Sequence, residues 1–109
     1  MTTLYSGGLV FDGNGNLLEN HGVLIEDDRI SKVAPCGEFE GFNGERIDTS
    51  GGTLMPGLID CHVHLVYCGE ADPKSHLLNL DPGQIVMNAF ENAQKTLNSG
   101  VTSIRDLGG

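Results

Sequence analysis

The strongest constraint on the fold is a strand–helix–strand pattern in the second half of the sequence. Residues 58–66 are an almost continuous apolar run bounded by glycine, which is typical of a strand buried on both faces of a parallel sheet. A helical pattern follows, and residues 101–105 predict a second strand. Strand, helix and strand form a βαβ unit, whose crossover is expected to be right-handed.

The helix between these strands has recognisable ends. Asp81 is a suitable N-cap, Pro82 suits the first helical position, and Gly100 suits the C-terminal stop. Apolar residues recur between these ends at steps of three and four, so they share one face of the predicted helix. They are Ile85, Val86, Ala89, Phe90, Ala93 and Leu97.

Short strands separated by turns are predicted in the first half of the sequence. The cluster of Gly, Asn and Asp at residues 12–16 supplies the positive φ angles that a hairpin turn needs. We expect the strands to be antiparallel and to form a small β-sandwich. They are predicted at residues 4–11, 17–18, 21–25, 30–33 and 45–48.

The charge balance disfavours two classes of partner. The 109 residues include 15 acidic and 6 basic side chains, which gives a formal net charge of −9. Such a surface repels phosphate backbones and anionic lipid, so neither nucleic acid nor a membrane is an expected partner. The three cysteines lack CxxC spacing, and no apolar stretch reaches the roughly 20 residues of a membrane span. We therefore expect a cytoplasmic protein.

The triplet His62-Val63-His64 is the main candidate for chemistry. Residues two apart in a strand point to the same side, so both imidazoles are expected to reach one cation. Neutral imidazole is a good zinc ligand. The alternatives are a chance triplet or two core histidines bonded to main-chain groups. Two polar rings in an apolar strand are costly unless paired or ligated, which favours metal binding.

Three further residues are candidates for supporting roles. Asp60 precedes His62 by two positions and either orients a ligand or bonds the backbone. Asp106 follows the second strand and either supports the site or caps a loop. His76 lies in a predicted long loop, residues 69–80, where it contacts substrate or is simply solvated. No catalytic residue is predicted in this stretch of sequence.

Several segments resemble the amidohydrolase superfamily. Residues 55–64, MPGLIDCHVH, are similar to its PGxxDxHxH signature, which leads from a β-sandwich into the first barrel strand. Residues 23–30 resemble a hairpin of that sandwich, and residues 47–53 resemble its exit. Residues 100–109 are similar to the second barrel strand of the prolidase-like and imidazolonepropionase-like branch.

The resemblance implies an α/β fold with an all-β part. Residues 1–53 would form the β-sandwich portion, and residues 54–109 the first βαβ unit of a (β/α)8 barrel that is incomplete here. His62 and His64 would be first-strand ligands of one or two divalent metal ions, usually zinc. The other ligands of the family come from strands four, five, six and eight, which this sequence does not contain. The 109 residues alone are therefore expected to be inactive.

Two functions remain open at this stage. One is a metal-dependent hydrolase, of which this is the N-terminal part, that cleaves a C–N bond of a small molecule with metal-activated water. The other is a non-catalytic fragment or subunit that needs a complementary chain to complete the barrel. The expected partners are a small-molecule substrate and the remaining barrel, from the same or another chain. Self-association into a homo-oligomer is also expected at an open sheet edge.

Overall fold

The computed structural model describes residues 1–108. The chain divides into two compact units, Met1–Pro56 and Gly57–Gly109. No helix in the described part of the chain has the length and apolar character needed to cross a membrane.

The first unit, Met1–Pro56, is an all-β structure with two sheets. The larger sheet has the strand order β5-β4-β1-β6, and the smaller has the order β3-β2-β7. A 3-10 helix, Cys36–Phe39, follows β5. The strands are β1 Thr2–Ser6, β2 Leu9–Phe11, β3 Leu17–Leu18, β4 His21–Glu26, β5 Arg29–Pro35, β6 Glu45–Asp48 and β7 Thr53–Leu54.

The core of this unit is small. Leu4 is fully buried and packs with Ala34 and Phe39, and Leu24 and Phe42 lie partly buried against them. Burying a leucine side chain contributes about 1.5–3 kcal/mol, so Leu4 is a main source of the stability of the larger sheet.

The single strand predicted at residues 4–11 is wrong, because the chain breaks at Gly7 and Gly8. Gly7 has a φ of +105°, which L side chains rarely adopt. At Gly8 a Cβ atom would lie 2.3 Å from the carbonyl oxygen of Thr49, so only glycine fits there. The break sends β1 into the larger sheet and β2 into the smaller one.

The expectation of purely antiparallel strands is also wrong. β1 pairs with β6 in parallel, with Tyr5 opposite Ile47, and β2 pairs with β7 in parallel. The 3-10 helix turns the chain before β6, and Arg46 fixes that return by donating to the carbonyl of Phe39 at 2.5 Å and that of Phe42 at 3.2 Å. The hairpins formed by β2 with β3 and by β4 with β5 are antiparallel as predicted.

The second unit, Gly57–Gly109, contains the predicted βαβ pattern. Its elements are β8 Leu58–Val63, α1 Pro73–Leu78, α2 Pro82–Asn98 and β9 Val101–Asp106. β8 and β9 pair in parallel. Asp81 caps α2 as predicted, since its carboxylate accepts from the amide of Gln84 at 3.0 Å and the Gln84 side chain accepts from the Asp81 amide at 3.1 Å. Gly100 has a φ of +94°, which suits a helix stop.

Two expectations for this unit are wrong. The predicted loop contains the short helix α1, which Asp72 caps by accepting from the amide of Ser75 at 3.1 Å. The strand predicted to be buried on both faces is exposed, and Ile59 is 70% exposed. A sheet of two strands with two helices leaves both sheet faces open to water. For the same reason Val86 and Phe90 on α2 are 66% and 58% exposed.

Candidate functional site

The two imidazoles of His62 and His64 are neighbours. Their ring centroids lie 5.3 Å apart, with the ring planes at 66°. His62 belongs to β8, and His64 follows one residue after that strand ends. The side chain of His62 is exposed and that of His64 is half-buried. The alternation of side chains along an extended backbone therefore places both rings on one side, within reach of a shared ligand.

The hydrogen bond at Nδ1 of His64 defines which nitrogen of that ring is free. Nδ1 bonds the main-chain carbonyl oxygen of Gly108. A carbonyl oxygen only accepts, so Nδ1 carries a proton, and in the neutral imidazole Nε2 keeps its lone pair. Metal-binding histidines commonly donate their other ring N–H to a carbonyl or carboxylate in this way.

The parallel pairing of β8 with β9 brings Gly108 to His64. Val63 lies opposite Asp106, and the carbonyl of Val63 accepts from the amide of Leu107 at 2.9 Å. The chain past β9 is thereby held beside the end of β8. Both strands end here, and the carboxyl ends of parallel strands are where α/β proteins gather ligand-binding groups.

Asp106 ties the two strand ends together. Its Oδ1 accepts from the amide of Gly108 at 2.7 Å, and its Oδ2 lies 3.5 Å from the amide of Leu65, at the limit of a hydrogen bond. The carboxylate therefore contacts the main chain at Leu65, next to His64, and at Gly108, the partner of the His64 ring.

Asp60 bonds the backbone rather than a ring. Its Oδ1 accepts from the main-chain amide of His62 at 3.0 Å. Of the two roles that the sequence left open, the structure shows the backbone bond. Asp60 thus fixes the main chain at His62.

Two residues that the sequence did not single out lie at the segment that follows His64: Tyr67 is part of it, and Asn92 contacts it. The Tyr67 ring lies 5.3 Å from the His64 ring, with the planes tilted by 40°. Asn92 on α2 donates from Nδ2 to the carbonyls of Leu65 at 2.8 Å and Tyr67 at 3.0 Å. The sequence contained one indication that Asn92 makes a buried polar contact. Asn92 lies three residues after Ala89, so it shares the half-buried face of α2 although it is polar.

His76 has a different neighbour. It is exposed on α1, and its Nε2 lies 3.1 Å from Oε1 of Glu70. Hydrogen bonds from the main-chain amides of Glu70 itself and of Cys68, together with the charge of His76, lower the pKa of the Glu70 carboxyl. Within residues 1–108, no group of three or more His, Cys, Asp or Glu side chains is arranged to hold a metal ion. His62 and His64 are therefore a pair of ligand candidates rather than a complete site.

Comparison with known proteins identifies the family. The sequence model described as the amidohydrolase family matches residues 53–109, just over half of the chain. The chain belongs to this family. The matched residues include the two histidines, both supporting aspartates and Asn92.

Two curated relatives match this chain over part of their length. The chain is 48% identical over 63 residues to an imidazolonepropionase of Ectopseudomonas mendocina, a match that covers 56% of this chain and 16% of that protein. It is 42% identical over 65 residues to a dihydroorotase of Syntrophotalea carbinolica, covering 60% of this chain and 15% of that protein. The amidohydrolase chain thus spans about a sixth of the length of the curated relatives it matches.

Solved structures show the same fold over the whole chain. A crystal structure of an amidohydrolase has a TM-score of 0.84 at 34% identity, covering 100% of this chain and 26% of the other. A Xaa-Pro dipeptidase has a TM-score of 0.83 at 25% identity, covering 100% of this chain and 27% of the other. The predicted fold class, a β-sandwich portion followed by the start of an α/β part, is confirmed.

Proposed function

We propose that this amidohydrolase chain is part of a metal-dependent enzyme that hydrolyses a C–N bond of a small molecule. His62 and His64 supply two ligands to a divalent metal ion, for which zinc is the proposed identity, in a site of one or two ions. The observation that carries the proposal is the neighbouring placement of the two rings, 5.3 Å apart, beside the end of β8.

The residues present fit a zinc ion. Zinc prefers nitrogen and sulfur ligands in a tetrahedral arrangement. The bond from Nδ1 of His64 to Gly108 leaves Nε2 as the nitrogen with a free lone pair. Two imidazoles provide half of a tetrahedral set, so we propose that the other ligands come from further barrel elements, of the same polypeptide or of a complementary chain.

The proposed chemistry is hydrolysis at a carbonyl carbon. When held by His62 and His64, a divalent ion would supply a water molecule with its pKa lowered towards about 7 and would polarise the scissile carbonyl. The residues of this chain hold the two ligands in place: Asp60 bonds the main chain of His62, and Asp106 bonds the main chain around His64. Support for a C–N bond comes from the similar structures, which include a Xaa-Pro dipeptidase and a phenylurea hydrolase.

We also propose that the exposed faces of β8, β9 and α2 are covered by further strands and helices of a (β/α)8 barrel. Many large apolar side chains of this small unit are exposed to water, which is unusual for a folded protein surface. Among them, Ile59 on β8 is 70% exposed and Val86 on α2 is 66% exposed. The covering elements come from the same polypeptide or from a complementary chain. A non-catalytic subunit that completes its barrel with another chain is the second candidate function that this exposure favours.

Zinc titration tests the proposed site. Calorimetry of the 109-residue chain is expected to show zinc binding at one site. His62→Ala and His64→Ala are each expected to weaken this binding at least about tenfold, because loss of a residue that only supports a metal ligand already lowers metal affinity by about 10–100-fold. His76→Ala is the matched control, because it removes an exposed imidazole that pairs with Glu70. An unchanged Kd in both His62 and His64 variants, or an equal loss in His76→Ala, would contradict the proposal.

A further inference from the structure

We infer that Asn92 is a positioning residue for His64, acting from α2 through the segment that follows β8. The effect on metal affinity that we expect from this inference rests on the proposed function. The structural part of the inference is that the side-chain amide of Asn92 fixes the turn that carries His64 and Tyr67.

The amide of Asn92 matches the two carbonyls it meets. The Nδ2 group has two hydrogens, and it lies 2.8 Å from the carbonyl oxygen of Leu65 and 3.0 Å from that of Tyr67. The Sγ atom of Cys68 is a further neighbour at 3.6 Å. Asn92 is half-buried, so these bonds are shielded from competing water.

The segment that Asn92 holds is a closed turn. The amide of Tyr67 donates to the carbonyl of His64 at 3.3 Å. Fixing the carbonyls at positions 65 and 67 therefore fixes the main chain next to His64. It also fixes where the Tyr67 ring lies, and that ring is 5.3 Å from the imidazole of His64.

His64 is thereby held from two different elements. Gly108 and Asp106 act from the end of β9, through Nδ1 and through the amide of Leu65. Asn92 acts from α2 on the other side of the same turn. Without the contact from α2, the main chain of residues 65–67 keeps the internal bond of the turn at 3.3 Å and the contact from Asp106 at 3.5 Å, and the ring gains freedom.

Two substitutions of Asn92 abolish its contact with the turn in different ways. Asn92→Asp replaces a two-hydrogen donor by oxygen acceptors that face two carbonyls, so the contact becomes repulsive. Asn92→Ala removes it without repulsion. Asn88→Asp is the matched control, because Asn88 lies one turn earlier on α2, is also half-buried and undergoes the same change of charge.

The experiment is nuclear magnetic resonance on the ¹⁵N-labelled 109-residue chain without metal, followed by zinc titration. Long-range ¹H–¹⁵N correlations are expected to show His64 protonated at Nδ1, with contacts between the His64 and Tyr67 rings. Both Asn92 variants are expected to lose these contacts and to show mixed His64 tautomers, whereas Asn88→Asp keeps the wild-type pattern. Zinc affinity is expected to fall about 10–100-fold in the Asn92 variants and to stay within about twofold in the control.

Unchanged His64 signals in both Asn92 variants would overturn the inference. Helicity measured by circular dichroism identifies a variant that has unfolded, and if Asn92→Asp unfolds, the milder Asn92→Ala decides. A wild-type chain that binds no zinc would contradict the proposed metal site, and the metal-free spectra would still decide whether Asn92 positions the ring.

Discussion

Nδ1 of His64 donates a hydrogen bond to the main-chain carbonyl of Gly108, 44 residues further along the chain. The bond fixes the tautomer of a ligand candidate on one strand through a residue that follows another strand. The position of the ring therefore depends on the pairing of β8 with β9 and on the groups that hold the chain past β9. Asp106 is the side chain that does so.

Removal of the Asp106 carboxylate is expected to weaken zinc binding. Asp106→Ala loses the acceptor for the amide of Gly108 at 2.7 Å and the contact to Leu65, so the partner of Nδ1 is no longer fixed. Loss of such an outer partner costs about 10–100-fold in metal affinity. Calorimetry checks this, with Asp28→Ala, at an exposed turn of the other unit, as the control. Equal affinities for Asp106→Ala and wild type would show that the carboxylate has no part in the site.

Gly8→Ala is expected to destabilise the first unit by about 1–3 kcal/mol, the usual cost of overpacking. The new Cβ atom would lie 2.3 Å from the carbonyl oxygen of Thr49 and 2.5 Å from that of Gly52, and main-chain atoms do not move aside cheaply. Urea denaturation measures the change. Gly41→Ala is the control, because nothing lies within 4 Å of a Cβ atom there. Similar midpoints for the two variants would mean that the break between β1 and β2 does not require glycine.

Asp81→Ala is expected to cost about 1 kcal/mol of stability through the loss of the α2 cap. The carboxylate accepts from the amide of Gln84 at 3.0 Å, and alanine leaves that donor without its partner. Thermal denaturation followed by circular dichroism at a helical wavelength checks this. Gln94→Ala, on the exposed face of α2, should keep or raise the melting temperature. A fall in Gln94→Ala as large as that in Asp81→Ala would argue against a specific capping effect.

The turn that Asp12 forms is expected to weaken in acid. Hydrogen bonds from the side chain of Asn16 and from the amide of Asn14 lower the pKa of Asp12 below its ordinary value of 3.8. A carboxyl with a lowered folded-state pKa stabilises the protein above the unfolded-state pKa, and this contribution is lost as the pH falls through the folded-state value. The urea midpoint of wild type should therefore exceed that of Asp12→Asn at neutral pH, and the gap should close in acid below the folded-state pKa. A gap that is constant with pH would refute the role of the ionised carboxyl.

Local signals predicted the second unit well. Asp81 and Gly100 act on the few residues next to them, so the ends of α2 were visible in the sequence. The common side of His62 and His64 was also predictable, because alternation along a strand is a local property. Metal binding by this pair stays a prediction.

Distant contacts explain what the sequence did not predict. Gly8 marks a break in the first strand only because Thr49 and Gly52 approach it from much later in the chain. The contact of Asn92 with the turn after β8, and that of His64 with Gly108, depend on strand register and on helix rotation. Neither the register of a strand nor the rotation of a helix can be predicted from the residues of that strand or helix alone.

The parallel pairing in the first unit has a consequence for synthesis on the ribosome. β1 and β2 find their parallel partners in β6 and β7, so Thr3 pairs with Glu45 and Leu9 with Thr53. These partners are the last strands of the unit to be translated, so β1 keeps one unpaired edge until about residue 48 has left the exit tunnel, and β2 until about residue 54. Contacts of such long sequence separation also slow folding. The first unit therefore acquires its native structure only after nearly all of it has been translated, and until then its nascent strands are open to pairing with other chains.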